Sequence, residues 1–193
     1  AAYYGVYEMI EAIDDKYVKK RKELFGDHNH NLWKCRWGAS LNYNDRNNVS
    51  IHVDDDSGAN YTYELKSNTE NFAAAKTQLI EFTKNLTQLS GQEFHDWIAK
   101  VCDVRLLLRT YAVNVVVGMW DDYWNNCNNF YIYFNSSDTN NYKFFFIPYD
   151  YDNTLGTSSH CNNVSDSGRQ DPLNWGDTGR NPLIGKILQF DDY

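Results

Sequence analysis

The chain has 193 residues, enough for one domain with a real core, and carries a net charge of −8. That acidity argues against phosphate-backbone binding as its main business, because a nucleic-acid surface needs a basic footprint. No apolar run approaches membrane-spanning length and the opening residues lack signal-peptide patterning, while a start on Ala1 without Met suits a mature or excised fragment. Aromatic residues make up 16%, with 15 Tyr beside abundant Asn, a mixture that suits outward-facing polar surfaces. Cys35, Cys102, Cys127 and Cys161 are too few for a disulfide scaffold and form no Cys-x-x-Cys pair, which argues against a zinc ribbon. Cys127 and Cys161 flank one strand in Asn-rich, loop-like sequence and are the candidate disulfide. Five Asn-x-Ser/Thr sequons, at Asn48, Asn60, Asn85, Asn135 and Asn163, join the cysteines in pointing to an extracytoplasmic protein.

In chain order, Tyr4 to Ile13 reads as a strand with Val6, Met9 and Ile10 inward. Asp14 and Asp15 precede a helix over 16–25 with Tyr17, Val18, Arg21 and Leu24 at helical spacing and Gly26 as its C-cap. His28 and His30 follow without an evident third metal ligand nearby. Residues 32–37 are the next strand. Asp54-Asp55-Asp56-Ser57-Gly58 forms a solvated turn between strands at 49–53 and 61–65, since a calcium loop spreads its ligands over about a dozen residues. Phe72, Ala75, Leu79, Phe82 and Leu86 mark one face of a long helix, and Ser90-Gly91-Gln92-Glu93 has the form of a capping box opening a shorter one that turns Phe94, Trp97 and Ile98 inward. Asp103 begins the most apolar helix, 104–117, which stops at Gly118. Apolar residues on more than one of its faces predict a buried central helix.

Beyond Gly118 the chemistry-bearing residues gather. Asp121 and Asp122 leave the central helix ahead of a strand at 130–134, which Asn128 and Asn129 open. A polar turn leads into the continuous apolar run Phe144–Ile147, read as the central strand, buried on both faces, and Pro148 stops its pairing. Asp150, Asp152 and Asn153 follow, so the expected hairpin gathers oxygen-bearing side chains from two segments at one end, which is how a hard cation is held on a rigid support. The tail is a polar loop to Gly179 and a last helix after Asn181-Pro182 carrying Leu183, Ile184, Ile187 and Leu188. No repeat and no linker divides the chain, so 1–193 reads as a single domain.

A carboxylate beside a metal-binding carboxylate and an amide oxygen is the minimal kit for phosphoryl transfer. The run Val117-Gly-Met-Trp-Asp-Asp-Tyr123, then Asn128-Asn-Phe-Tyr-Ile-Tyr133, then Lys143-Phe-Phe-Phe-Ile-Pro-Tyr-Asp-Tyr-Asp-Asn-Thr-Leu-Gly156 closely resembles the CotH (spore coat protein H) kinase family. The opening Tyr4-Gly-Val-Tyr-Glu-Met-Ile-Glu-Ala-Ile-Asp14 and Asn31-Leu-Trp-Lys-Cys35 extend the resemblance over nearly the whole chain. It implies an α+β fold like the catalytic lobe of an atypical protein kinase, with a buried central helix, a catalytic hairpin and flanking strands. It also implies use of ATP with Mg2+ or Mn2+, a protein Ser/Thr acceptor on a coat, surface or multi-enzyme complex, and a secreted or surface location. By position, Asp121 matches the catalytic-loop Asp, Asn129 the metal-binding Asn and Asp150 the metal-binding Asp, with Asp152 a near neighbour; Glu11 and Ile13 fall at the hinge beside the adenine. Two departures stand out. The Asp121–Asn129 loop is longer than the family's compact form, so Asn126 competes for the ligand role. The chain also opens at the hinge, leaving the family's preceding lobe and its phosphate-holding basic residue without a counterpart, so a folded but inactive fragment is one expectation.

Two rival readings remain at this level. Asp150-Tyr-Asp152-Asn-Thr154 after an apolar strand also fits a haloacid-dehalogenase phosphatase with Asp150 as nucleophile and Lys186 as the one downstream lysine. Surface Tyr, Trp and Asn also suit a kinase-like fold kept as a binding or adhesion module.

Overall fold

The computed structural model describes residues 5–6, 9–43, 51–53, 62–156, 171–176 and 181–193, with backbone alone at 51–53. Five strands, β1 (Asn31–Cys35), β2 (Ile51–Val53), β3 (Tyr63–Leu65), β4 (Phe130–Phe134) and β5 (Phe144–Pro148), form one sheet in the order β2-β3-β1-β4-β5. The β4–β5 hairpin is antiparallel, with Phe130 opposite Pro148 and Phe134 opposite Phe144. Together with the helices this is an α+β architecture.

Because side chains alternate across a strand, the sheet has two distinct faces. Trp33, Cys35, Phe130, Ile132, Phe134, Phe144 and Phe146 point to one side. They meet α3 (Phe72–Gln88), α4 (Gly91–Val101), α5 (Val104–Val117) and α7 (Pro182–Ile187), which contribute Leu79, Phe82, Phe94, Ile98, Leu107 and Ile184 to the main core. On the opposite side Leu32, Tyr131, Tyr133 and Ile147 form a second cluster with Ile13, Val18 and Phe25, the last two from α1 (Asp15–Lys20) and α2 (Lys22–Phe25). Asp14 caps α1 by accepting from the Lys16 and Tyr17 amides. A short helical element, α6 (Tyr123–Asn126), lies between α5 and β4.

The α3 face matches its periodicity, with Ala75, Leu79, Phe82 and Leu86 all buried. Several other expectations need correction. No strand runs through the described residues before Asp14, and Val6, Met9 and Ile10 are exposed; α1 and α2 already cover that side of the sheet, so only Ile13 reaches it. β5 is an edge strand rather than the central one, and Phe145 and Phe146 are only half-buried. Its partner β4 is buried along its whole length. β2 runs parallel to β3, pairing Ile51 with Tyr63 and Val53 with Leu65. Residues 54–61, where the acidic turn was expected, lie outside the described residues. α5 is not enclosed: Arg105, Arg109, Ala112, Val113 and Val116 face outward, and its deepest residue near the C-terminus is the polar Asn114. Ser90 stands at the N-cap of α4 without a side-chain capping bond. Cys127 is a buried thiol donating to Asn181 Oδ1 at 2.8 Å, in place of the expected disulfide with Cys161, which lies outside the described residues, as do Asn48, Asn60 and Asn163. Asn85 is half-buried in the last turns of α3, and Asn135 accepts from the Lys143 amide at 2.7 Å.

Candidate active site

The helix α5 ends where Gly118 adopts the left-handed conformation (φ 65°), which costs glycine nothing and turns the chain sharply back. Asp121 and Asp122 follow and take different roles. Asp122 is buried and caps α6, accepting from the Asn125 amide at 2.9 Å and from Asn114 Nδ2 at 2.9 Å. Asp121 is half-buried at the rim, surrounded by side-chain amides: Asn126 Nδ2 donates to its Oδ1 at 2.6 Å, Asn128 Nδ2 at 3.2 Å, and Asn129 Nδ2 donates to its Oδ2 at 2.9 Å and its backbone carbonyl at 3.0 Å. Three amides fix the orientation of one carboxylate without neutralising it.

The second segment is tied to the first in two ways. The amide of Tyr149 donates to the carbonyl of Asn129 at 3.1 Å, so Asp150 begins its loop one residue beyond the partner of the amino acid that grips Asp121. The Tyr151 hydroxyl then donates to Asn114 Oδ1, the side chain whose nitrogen serves Asp122, and the Leu155 amide donates to the Val117 carbonyl at 2.7 Å. Both loops are thereby pinned to the C-terminal end of α5. Cys127, Asn129, Asp150 and Leu155 all have positive φ (52°, 53°, 59° and 53°), a concentration of left-handed backbone that non-glycine residues adopt where surrounding contacts impose it. Asp150 and Asp152 are exposed, and Asp152 Oδ1 accepts from Asn153 at 2.9 Å.

The other candidates lie elsewhere. Glu11 is ion-paired with Arg21 (2.7 Å) and Lys20 (2.9 Å), and the Arg21 bond first and the Lys20 bond next hold its carboxyl down at about 2. Ile13 is buried against the face that carries Tyr131 and Ile147. Among the described residues no group of three or more His, Cys, Asp or Glu is placed to hold a metal, His28 and His30 included, and no helix is long and apolar enough to cross a membrane.

A family model described as CotH kinase protein matches residues 1–193, the full length of the chain. The chain belongs to the CotH kinase family. At the family level that makes it an atypical kinase, with ATP, divalent-metal and protein-substrate use in general. No curated protein matches the sequence. In this CotH kinase, sequence reasoning passed over Asn114 and Tyr151, which join the two acidic loops. One signal was present: Asn114 is the single polar residue in the run Ala112-Val-Asn-Val-Val116, and a polar residue inside an apolar helical run is there to be satisfied.

Burial pushes the Asp122 carboxyl up to about 6 from an ordinary 3.8, against the pull of its bonds from Asn114 and Asn125. The folded state therefore holds a proton that the unfolded chain has lost between those two values. Its contribution to stability falls as pH rises through that window, on the order of 2–3 kcal/mol in all. Urea unfolding of the Asp122→Asn variant is expected to show a flatter dependence than the parent from about pH 4 to pH 6. Parallel curves would contradict this reading.

Proposed function

We propose that this protein transfers the γ-phosphate of ATP to a Ser or Thr hydroxyl of a protein outside the cytoplasm. The observation that carries the reading is the joining of the Asp121 and Asp150 loops at one end of the β4–β5 hairpin through Asn129 and Asn114. The donors suit a hard cation: Asp150 and Asp152 offer exposed carboxylates, and Asn129, whose nitrogen faces Asp121, keeps its amide oxygen for another partner. Two carboxylates and an amide fit Mg2+ or Mn2+, which take their remaining positions from phosphate oxygens and water rather than from an all-protein cage. Asp150 and Asn129 would hold the ion, with Asp152 and Asn126 at its margin, and the ion when bound neutralises charge on the transferred phosphoryl group.

Asp121 acts on the acceptor. Its carboxylate, aimed by Asn126, Asn128 and Asn129, accepts a hydrogen bond from the incoming hydroxyl and takes its proton as the oxygen attacks. Asn129 touches both carboxylate segments, so it sets their spacing. Glu11 to Ile13, on the outer side of the hairpin, is the adenine edge in this reading. The phosphatase alternative loses its lysine, because Lys186 donates to the carbonyls of Leu86, Thr87 and Leu89 at 2.7 Å each and thereby caps α3. A binding module remains the contrasting case. The test is thermal unfolding of the parent with and without ATP and Mg2+ or Mn2+: a ligand that binds only the folded state raises the midpoint, by about 2–3 kcal/mol of added stability at a hundredfold excess over Kd. No shift at millimolar nucleotide and metal would favour the binding module.

A further inference from the structure

On the sheet face away from the main core, Lys34 of β1 stands opposite Glu64 of β3 on one side and Tyr131 of β4 on the other. Glu64 is buried, and two cations already occupy it: Arg36 through Nε at 2.9 Å and Nη2 at 2.5 Å, and Lys66 at 2.7 Å. Lys34 is different. It is half-buried, and among the described residues its ammonium has no hydrogen-bond or ion-pair partner; its neighbours are the rings of Tyr149 at 5.5 Å and Tyr131 at 5.9 Å. Three cations around one carboxylate leave a local positive excess on a chain whose net charge is −8. Burial, and next the charge of Arg36, holds the Lys34 ammonium below its usual range, while Glu64 and Asp150 pull the other way. An ammonium has three donors, and a half-buried one that uses none for a hydrogen bond is set to receive an anion.

Its position says which anion. Tyr149, one of the two rings beneath the ammonium, immediately precedes Asp150 and bonds to Asn129, so Lys34 lies on the outer side of the same hairpin end as the proposed metal ligands. Ile13 packs on that side of the sheet as well. We propose that Lys34 is a phosphate-binding residue, gripping the polyphosphate chain of the nucleotide from within this domain, with Arg36 and Lys66 neutralising Glu64 so that the site stays positive. The inference rests on the kinase reading for the identity of its anion, but the anion site itself can be tested apart from it. An ammonium beside the Asp150 loop would also separate two functions, the carboxylate holding a divalent ion and the lysine a phosphate oxygen.

The experiment is calorimetric titration of the full chain and of Lys34→Met with two probes, ATP with Mg2+ and inorganic tripolyphosphate. Methionine keeps an apolar stem against the tyrosines and removes the charge, and Lys34→Gln repeats the test should the Met variant fail to fold. Loss of one charge-assisted contact is expected to weaken both probes roughly tenfold to a hundredfold. Lys34→Arg is expected to recover most of that loss. Equal ATP affinity in parent and Lys34→Met overturns the inference while leaving the kinase reading standing. Lys34-dependent binding of tripolyphosphate without any binding of ATP overturns the nucleotide reading and keeps the anion site. Absence of binding by either probe overturns both.

Discussion

Asp121→Ala and Asp150→Ala are each expected to abolish phosphate transfer by the full-length protein while leaving the fold in place. For Asp121 the loss is that of a positioned proton acceptor, on the order of a hundredfold to ten-thousandfold. The same substitution leaves the Asn126, Asn128 and Asn129 amides without their shared acceptor, but these sit at the rim where water can replace it, so the structural cost stays near 1 kcal/mol. α6 keeps its start, because its capping carboxylate belongs to Asp122 and not to Asp121. For Asp150 the side chain is exposed, alanine at its left-handed backbone (φ 59°) adds about 1–2 kcal/mol, and what disappears is the carboxylate proposed for the metal. Labelled-phosphate transfer, read beside circular dichroism and melting of each variant, separates the two consequences. Transfer within a few-fold of the parent in either variant would remove that residue from the mechanism, and in both would remove the mechanism itself.

A second large effect belongs to stability. Phe82 of α3 is fully buried and its ring touches Trp97 at 5.5 Å, Phe134 at 5.3 Å and Phe144 at 4.6 Å, the last as a stacked pair. One ring thus joins α3 and α4 to both strands of the hairpin. Phe82→Ala removes the apolar transfer term and opens a cavity that four aromatic neighbours, Tyr142 included, are too rigid to fill. The expected cost is about 3–5 kcal/mol, a large part of what an ordinary domain possesses. Denaturant unfolding would show it as a lower midpoint at an unchanged slope. A loss below about 1 kcal/mol would mean that the aromatic cluster repacks as it does not in this structure.

The elements whose side chains repeat with one period were legible before any coordinates. α3 follows from the spacing of Ala75, Leu79, Phe82 and Leu86, and the N-cap of α5 from Asp103, which accepts from the Leu106 amide at 3.0 Å. The hairpin follows from two apolar runs around a polar turn. Errors arose where tertiary context overrode a local pattern. Phe144 to Ile147 is apolar enough for a central strand, yet a strand at the edge is equally apolar where one flank is met by a helix end, here through the bridge between Cys102 and Phe144. Apolar residues on more than one face of α5 predict enclosure, but Val113 and Val116 face outward.

The candidate site was legible as an order of motifs and not as a set of contacts. Asp121, Asn129 and Asp150 could be named because their flanking residues have a recognisable sequence. Their connection could not, since it passes through Asn114, which meets Asp122 eight residues away and Tyr151 thirty-seven residues away. Lys34 was hidden for a related reason: its meaning depends on which rings lie beneath it, and those come from β4 and from the residue after β5.

The amide of Asn114 gives with its nitrogen to one acidic loop and takes with its oxygen from the other. An aspartate there would repel its first partner, an aliphatic side chain would satisfy neither, and a glutamine would overreach both. The two acidic loops therefore hang on one shared side chain at the end of α5, beside the backbone bond from Tyr149 to Asn129 that also ties them.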